Sequence, residues 1–268
     1  MTLVTPSGLP SSRLALGAHP QTPGACVDVA LERGIRSFFF YDRHAAAVLE
    51  RLARALPPRR EDTLLLTGTE ERDIPGVQGD LDAIRTRLGV DAVDAFLLLY
   101  VAPGESIGDI DRLLDHLHEQ REAGALRYVG ASAHDRQQAE RLARDPRVDV
   151  LMHRYNMAHR GAEQAVFPAA LEAKTPVIAF TCTRWRTLLA GHGDWPHEVP
   201  SAPDCYRFAL AHPAVELALT APHSVEELRQ NLAVLDARPP TPEEMATWRA
   251  YGDVVYGGVP GEFETSWP

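Results

Sequence analysis

Eight short and almost continuously apolar runs recur along the chain, each separated from the next by a segment with helical spacing. The runs are RLALGA (13–18), SFFFYD (37–42), TLLLTG (63–68), AFLLLY (95–100), RYVGAS (127–132), VLMHRY (150–155), VIAFTC (177–182) and ELALTA (216–221). Strands that are apolar on both faces are typical of a parallel sheet covered by helices. This alternation predicts an α/β protein with the (β/α)8 TIM-barrel fold, with a doubly wound sheet as the alternative.

Composition narrows the range of partners and compartments. A net charge of −10 argues against nucleic acid or an anionic membrane as a partner. The cysteines are far apart and lack metal-ligand spacing, and no signal peptide or long apolar run is evident, so we expect a cytoplasmic protein without a metal site. Because no composition shift or linker divides the chain, we expect one domain spanning residues 1–268.

Polar residues that follow the predicted strands are the candidates for a functional site, because the carboxyl ends of the strands form the active site of such barrels. Side chains able to transfer a proton or donate to an oxyanion are the predicted catalytic set: Tyr41, Asp42, His44, Tyr100, His134 and His153. Side chains able to contact a small polar or anionic substrate are the predicted binding set: Arg154, Asn156, Arg184, Trp185 and Trp195.

Several segments, in their order and spacing, carry a family resemblance. SGLPSSRLALG reads as an opening hairpin with the first strand, and GIRSFFFYD as the second strand. The segments LGVDAVDAFLLLY, GALRYVGAS, HRGAEQAVFP, RFALAHPAV and SVEELRQNL follow in the expected order. Over nearly its whole length the chain resembles the aldo/keto reductases. The resemblance implies a TIM barrel with an N-terminal hairpin and the reduction of small carbonyl compounds by NADPH.

The resemblance also implies a catalytic Asp, Tyr, Lys and His, and this sequence departs from all of them. The Asp position falls at Phe39 or Phe40, and the Tyr position falls at His44 or Ala45. The Lys position falls on Gly68 and the His position on Tyr100. The only lysine of the chain, Lys174, precedes the seventh strand and is therefore expected at the opposite end of the barrel.

The cofactor positions implied by the resemblance are kept in part. Ser132 stands at a nicotinamide contact and Asn231 at an adenosine contact, and both are cofactor-binding candidates if NADP binds. Counting back from Asn231, the contacts to the adenosine phosphate fall on Ala221 and Glu227, where a carboxylate would repel the phosphate. We therefore expect no cofactor, while NADP stays possible.

These observations leave alternative functions open. The preferred hypothesis is a repurposed small-molecule enzyme of the lyase, isomerase or hydrolase type, with acid–base chemistry at the barrel mouth and no nicotinamide. One alternative is an NAD(P)H-dependent carbonyl oxidoreductase with a rewired site, and another is a non-catalytic binding or regulatory barrel. Aromatic residues near the C-terminus fit either packing on the barrel itself or a partner interface: Trp248, Tyr251, Tyr256, Phe263 and Trp267.

Overall fold

A closed ring of parallel strands forms the centre of the molecule. The computed structural model describes residues 2–40 and 46–257. Eight strands pair in chain order, and the last pairs with the first, which confirms the predicted TIM barrel. The strands are β1 (Leu14–Gly17), β2 (Ser37–Phe40), β3 (Leu64–Thr69), β4 (Val93–Leu98), β5 (Leu126–Ser132), β6 (Val150–Arg154), β7 (Val177–Phe180) and β8 (Val215–Thr220).

Helices surround this ring, and each apolar helix stripe packs against the outside of the strands. Between the strands lie α1 (Ala25–Glu32), α2 (Ala46–Ala55), α3 (Ile74–Leu88), α4 (Ile107–Glu122), α5 (Arg136–Arg144), α6 (Val166–Ala173) and α7 (Ala202–Leu210), with α8 (Val225–Leu232) and α9 (Pro242–Gly257) after β8. None of the helices within the described ranges is long and apolar enough to cross a membrane.

Side-chain alternation divides the core into two layers. Residues such as Phe38, Phe96 and Val129 face the helices, whereas Phe39, Leu97 and Met152 fill the barrel interior. Because the strands are buried on both faces, their sequences are continuously apolar rather than alternating. The filled interior makes the barrel a packed core. We therefore expect a functional site at the end where the loops that follow the strands project.

The N-terminal segment closes the bottom of the barrel. Val4 and Pro10 form an antiparallel bridge, and Ser11 donates its backbone N–H to the Leu3 carbonyl, as expected for the predicted hairpin. Leu3 is fully buried in the interior layer, and the Val4 backbone N–H donates to the Tyr128 hydroxyl at 3.3 Å. With this end covered, we expect a ligand to enter at the carboxyl ends of the strands.

The last helix packs on the barrel across β7 and the loop after β6. Trp248, Tyr251 and Val255 are buried in the outer layer, and the Tyr251 hydroxyl donates to the Leu188 carbonyl at 2.8 Å. The described part of the C-terminal region therefore packs on its own barrel, as one of the two sequence interpretations proposed. Phe263 and Trp267 lie outside the described residues.

Candidate active site

A large cavity opens at the carboxyl ends of the strands. Its volume is about 1460 Å³, above the roughly 300–1,000 Å³ common for small-molecule sites. Residues from every strand end contribute to its wall, among them Ala18, Phe39, Glu70, Tyr100, His134, Arg154, Trp185 and His223. The cavity therefore lies where the fold places an active site.

The cavity collects about half of the predicted site residues. Those that line it are Tyr100, His134, His153, Arg154, Trp185 and Asn231. Those outside its lining are Ser132, Asn156, Arg184 and Trp195. Tyr41, Asp42 and His44 lie outside the described residues, so their predicted catalytic roles stay predictions.

Tyr100 leaves the end of β4 in a left-handed backbone conformation, with φ of 55°. Its backbone N–H donates to the Ser132 hydroxyl at 2.8 Å, and its ring stacks on His134 with centroids 5.4 Å apart. Ser132 is 2% exposed, so its hydroxyl fixes the end of β4 instead of facing a ligand. A phenol supported on an imidazole is thereby held at the cavity wall.

The inward position at the end of β4 belongs to Leu99, not to Tyr100. Leu99 continues the interior alternation of Ala95 and Leu97, and it lines the cavity. Opposite it, a Cβ at Gly68 would lie 2.8 Å from Leu99 Cγ and 2.4 Å from the Leu97 carbonyl oxygen. A side chain at the end of β3 would therefore displace Leu99, and this part of the wall is hydrophobic.

His153 is held in one tautomer. Its Nδ1 lies 2.7 Å from the Ala133 carbonyl oxygen, which can only accept, so the Nδ1 carries the proton. Burial lowers the pKa of His153 to about 4, with Arg154, His134 and Arg136 adding to the effect. Burial and the charge of Arg154 likewise lower the pKa of His134 to about 4. Both rings are therefore neutral near pH 7.

Asn156 and Arg184, predicted to bind substrate, have structural contacts instead. Asn156 is fully buried; its Nδ2 donates to the Thr181 carbonyl, and its Oδ1 accepts from the backbone N–H groups of Ala158 and His159. Arg184 is 3% exposed and donates from Nη1 to the Val255 carbonyl at 2.7 Å. These contacts shape the loops around the cavity, so neither placement supports direct substrate binding.

The segment after β7 places an aromatic side chain and a cation at the cavity. Arg184, Trp185 and Arg186 have φ values of 50°, 48° and 70°, a costly left-handed run for residues other than glycine. This turn leaves Trp185 53% exposed on the cavity wall. Trp195, further along, packs on Tyr251 with ring centroids 5.2 Å apart, and thus supports α9 rather than the cavity.

A second polar corner of the cavity forms between β1, β8 and α8. The His19 and His223 rings stack at 4.9 Å, and Arg186 Nη2 lies 2.5 Å from Glu227 Oε2. Glu227 also accepts from the His223 backbone N–H, while its own backbone N–H donates to the Ser224 hydroxyl that caps α8. The carboxylate is therefore paired with a cation.

Asn231 provides an available acceptor in this corner. It is 3% exposed and lines the cavity, and its Nδ2 donates to the Thr220 hydroxyl at 2.9 Å. Its Oδ1 is buried without a hydrogen-bond partner. A buried acceptor left unsatisfied beside a cavity is available to a ligand that can donate to it.

Comparison with known proteins identifies the family. The model of the aldo/keto reductase family matches residues 20–189, more than half of the chain. The chain belongs to the aldo/keto reductase family. Among curated proteins it is similar to an uncharacterized oxidoreductase, YqkF, of Bacillus subtilis (strain 168), at 24% identity over 281 aligned positions, covering 89% of this chain and 90% of that protein.

Solved structures of aldo-keto reductases share the fold. The holo form of AKR11C1 from Bacillus halodurans superposes with a TM-score of 0.77 at 21% identity, covering 99% of each chain. An aldo-keto reductase from Klebsiella pneumoniae in complex with NADPH superposes with a TM-score of 0.76 at 20% identity, covering 98% of this chain and 97% of the other. The likeness extends over the whole barrel.

Some residues of the cavity were not among the predicted site residues. The missed residues are Arg136, which follows the helix cap Asp135, and Arg186, which follows Trp185. Both come soon after a strand, so the rule that loops after strands carry function could have predicted them. Their partners, however, are distant in sequence. Within residues 2–40 and 46–257, no group of three or more His, Cys, Asp or Glu side chains is placed to hold a metal ion.

Proposed function

We propose that this chain is a nicotinamide-dependent carbonyl oxidoreductase that acts on small molecules through a rewired reacting centre. The single observation that carries the proposal is the unsatisfied Oδ1 of Asn231 on the cavity wall. Family membership and the named NADPH complex of a structural neighbour support the same direction. This replaces the preferred sequence hypothesis of an enzyme without nicotinamide, which these findings support less well.

The corner around Asn231 fits the adenosine end of a dinucleotide. Asn231 Oδ1 would accept from an exocyclic amino group, and Arg186, which uses Nη2 for Glu227, would have other guanidinium N–H groups to donate to a phosphate. Glu227, which we expected to repel a phosphate, has its charge offset by Arg186. The cavity is also large enough for an extended cofactor together with a substrate.

The chemistry that a bound nicotinamide supplies is hydride transfer to or from a carbonyl carbon. This chain must hold the proton that the carbonyl oxygen gains. Among the described residues, Tyr100 is our candidate donor, because its phenol is fixed at the wall by the Ser132 and His134 contacts. The His134 ring that supports the phenol is neutral near pH 7, because its pKa is lowered to about 4.

Other side chains would orient the reactants and exclude water. Phe39, Leu99 and Met152 form the apolar floor of the cavity, which excludes water from the reacting centre. Trp185 offers a flat exposed ring at the rim for stacking. We propose that Tyr41, Asp42 and His44 complete the centre, as their position directly after β2 suggests.

Direct titration of the purified, cofactor-free protein with NADPH and NADH tests the proposal. We expect quenching of Trp185 fluorescence and micromolar binding, weakened about tenfold by Asn231→Ala, because a buried hydrogen bond is lost. Gln137→Ala, which removes an amide from the exposed face of α5, is the matched control. Failure of the wild-type protein to bind either nucleotide at millimolar concentration would refute the proposal and return the enzyme without nicotinamide to first place.

A further inference from the structure

Beyond the corner around Asn231, the cavity continues toward α5 and the loop after β6. This part, which we name the arginine lobe, is lined by Asp135, Arg136, Arg154, Arg160 and Gly161. In the closed ring, α5 follows β5 and so lies three strands away from β8, while the loop after β6 lies two strands away from it. A dinucleotide whose adenosine end lies at α8 would leave space in this lobe for the substrate.

The charges in the arginine lobe are unevenly compensated. Arg160 Nη2 lies 2.5 Å from Asp253 Oδ1, so this pair is neutral overall. The Asp135 carboxylate caps α5 by accepting from the Gln138 backbone N–H at 2.9 Å. Arg136 makes neither a hydrogen bond nor an ion pair within the described ranges. In a chain with net charge −10, a guanidinium without an ion pair on a cavity wall is a feature that needs a cause.

Gly161 makes room for the Arg136 guanidinium. A Cβ at position 161 would lie 2.0 Å from Arg136 Nη1 and 3.0 Å from its Cζ, so the guanidinium occupies the space a side chain would take. The planar group is thus laid against the loop backbone at the cavity wall. Without an ion pair of its own, the guanidinium has its N–H groups available for carboxylate or phosphate oxygens.

The field of these arginines reaches the reacting centre. His153, which lines the same cavity, has its pKa lowered first by burial and then by Arg154, His134 and Arg136. Positive charge is therefore felt inside the cavity and not only in the surrounding water. An anion bound in the lobe would be attracted by this positive charge, which adds to its affinity.

We propose that the arginine lobe binds an anionic group, a carboxylate or a phosphate, carried by the carbonyl substrate, with Arg136 as the contacting residue. The proposal rests on the proposed function for the identity of the reacting group. It names the substrate class as acidic aldehydes or ketones. Arg136 then acts as a specificity-determining residue, since it contacts the part of the substrate that does not react.

Matched pairs of compounds test the proposal. The probes are 4-formylbenzoate and its uncharged methyl ester, with glyceraldehyde 3-phosphate to distinguish a phosphate from a carboxylate. Binding is measured by calorimetry, and reduction is followed with the nucleotide that the protein binds. For Arg136→Gln we expect the dissociation constant of the preferred acid to rise about tenfold or more, with the ester changed less than about twofold.

Two further variants separate charge from position. Gly161→Ala keeps every charge but displaces the guanidinium, and its backbone is outside the left-handed region, so we expect the same loss for the acid and not for the ester. Arg144→Gln removes a cation from the far end of α5, where Arg144 pairs with Glu172, and should leave both compounds unchanged.

The outcomes distinguish this inference from the function on which it rests. Equal affinity for acid and ester in the wild-type protein, or an unchanged affinity for the acid in Arg136→Gln, would overturn the inference while reduction of the ester still upheld the reductase. Arg136-dependent binding of the acid by a protein that binds neither nucleotide would uphold the anion site and refute the proposed function.

Discussion

At the scale of single residues, His153 couples the cavity to the stability of the fold. Its pKa lies near 4 in the folded protein and at the ordinary 6.5 when unfolded. Between these values only the unfolded chain takes up the proton, so its stabilising effect is complete above pH 6.5 and is lost as the pH falls toward 4. Over this pH range the free energy of unfolding of His153→Gln should fall less than that of the wild type, by a difference of at most about 3 kcal/mol.

Urea unfolding at several pH values across that window measures the effect. His192→Gln, in the loop after β7, is the control, because it removes a histidine at another position. His134 also has a lowered pKa and titrates in the same range, so the single variant should flatten the pH dependence without abolishing it. Parallel curves for wild type and His153→Gln would contradict the lowered pKa assigned to His153.

At the scale of elements, the strands were predictable and the last helix was not. Each apolar run coincides with one strand to within two residues at either end, because burial on both faces leaves a continuous signal. In α9 the buried positions Trp248, Tyr251 and Val255 have helical spacing, but Gly252 interrupts the helical propensity. Packing decides the outcome there: a Cβ at Gly252 would lie 2.0 Å from the Met157 carbonyl oxygen.

Gly252→Ala therefore sets helix propensity against packing. The substitution gains up to about 1 kcal/mol of helix propensity, but the new methyl group clashes with backbone atoms. The net result should be a destabilisation of about 1–3 kcal/mol. Gly79→Ala is the matched control, because its Cβ in α3 meets nothing within 4 Å and should stabilise the protein slightly. Thermal unfolding compares the two, and a stabilised Gly252→Ala would show that α9 is not docked as closely as described.

At the scale of the whole molecule, the sequence could indicate where the site lies but not its contacts. The rule that strand ends carry function found Tyr100, His134 and Arg154. The Arg186–Glu227 pair and the Arg136–Gly161 contact join different loops. Such contacts depend on how the ring closes, and no periodicity or spacing within one segment encodes them. The same limit explains why Arg184 was predicted to face a substrate although it is buried against α9.

A buried carboxylate joins neighbouring strands at the opposite end of the barrel from the cavity. Asp94 is fully buried in β4; its Oδ2 accepts from Arg60 at 2.9 Å and from the Leu65 backbone N–H at 2.7 Å, and its Oδ1 accepts from Arg127 at 2.8 Å. Arg127 also donates to the Val4 carbonyl. Through these contacts the Asp94 side chain links β3, β4, β5 and the N-terminal hairpin.

Asp94→Ala should therefore destabilise the fold by about 3 kcal/mol, because it leaves the cations and a buried N–H without their partner. Asp94→Asn keeps the shape and should lie between wild type and Asp94→Ala, whereas Asp82→Asn, which removes the exposed carboxylate paired with Arg85, should cost less than about 1 kcal/mol. Denaturant unfolding measures all three.

Because the network lies at the stability end of the barrel, NADPH affinity should be the same in every variant that folds. An Asp94→Ala protein as stable as wild type, or one that folds fully yet loses the nucleotide, would contradict this division between a stability end and a chemical end.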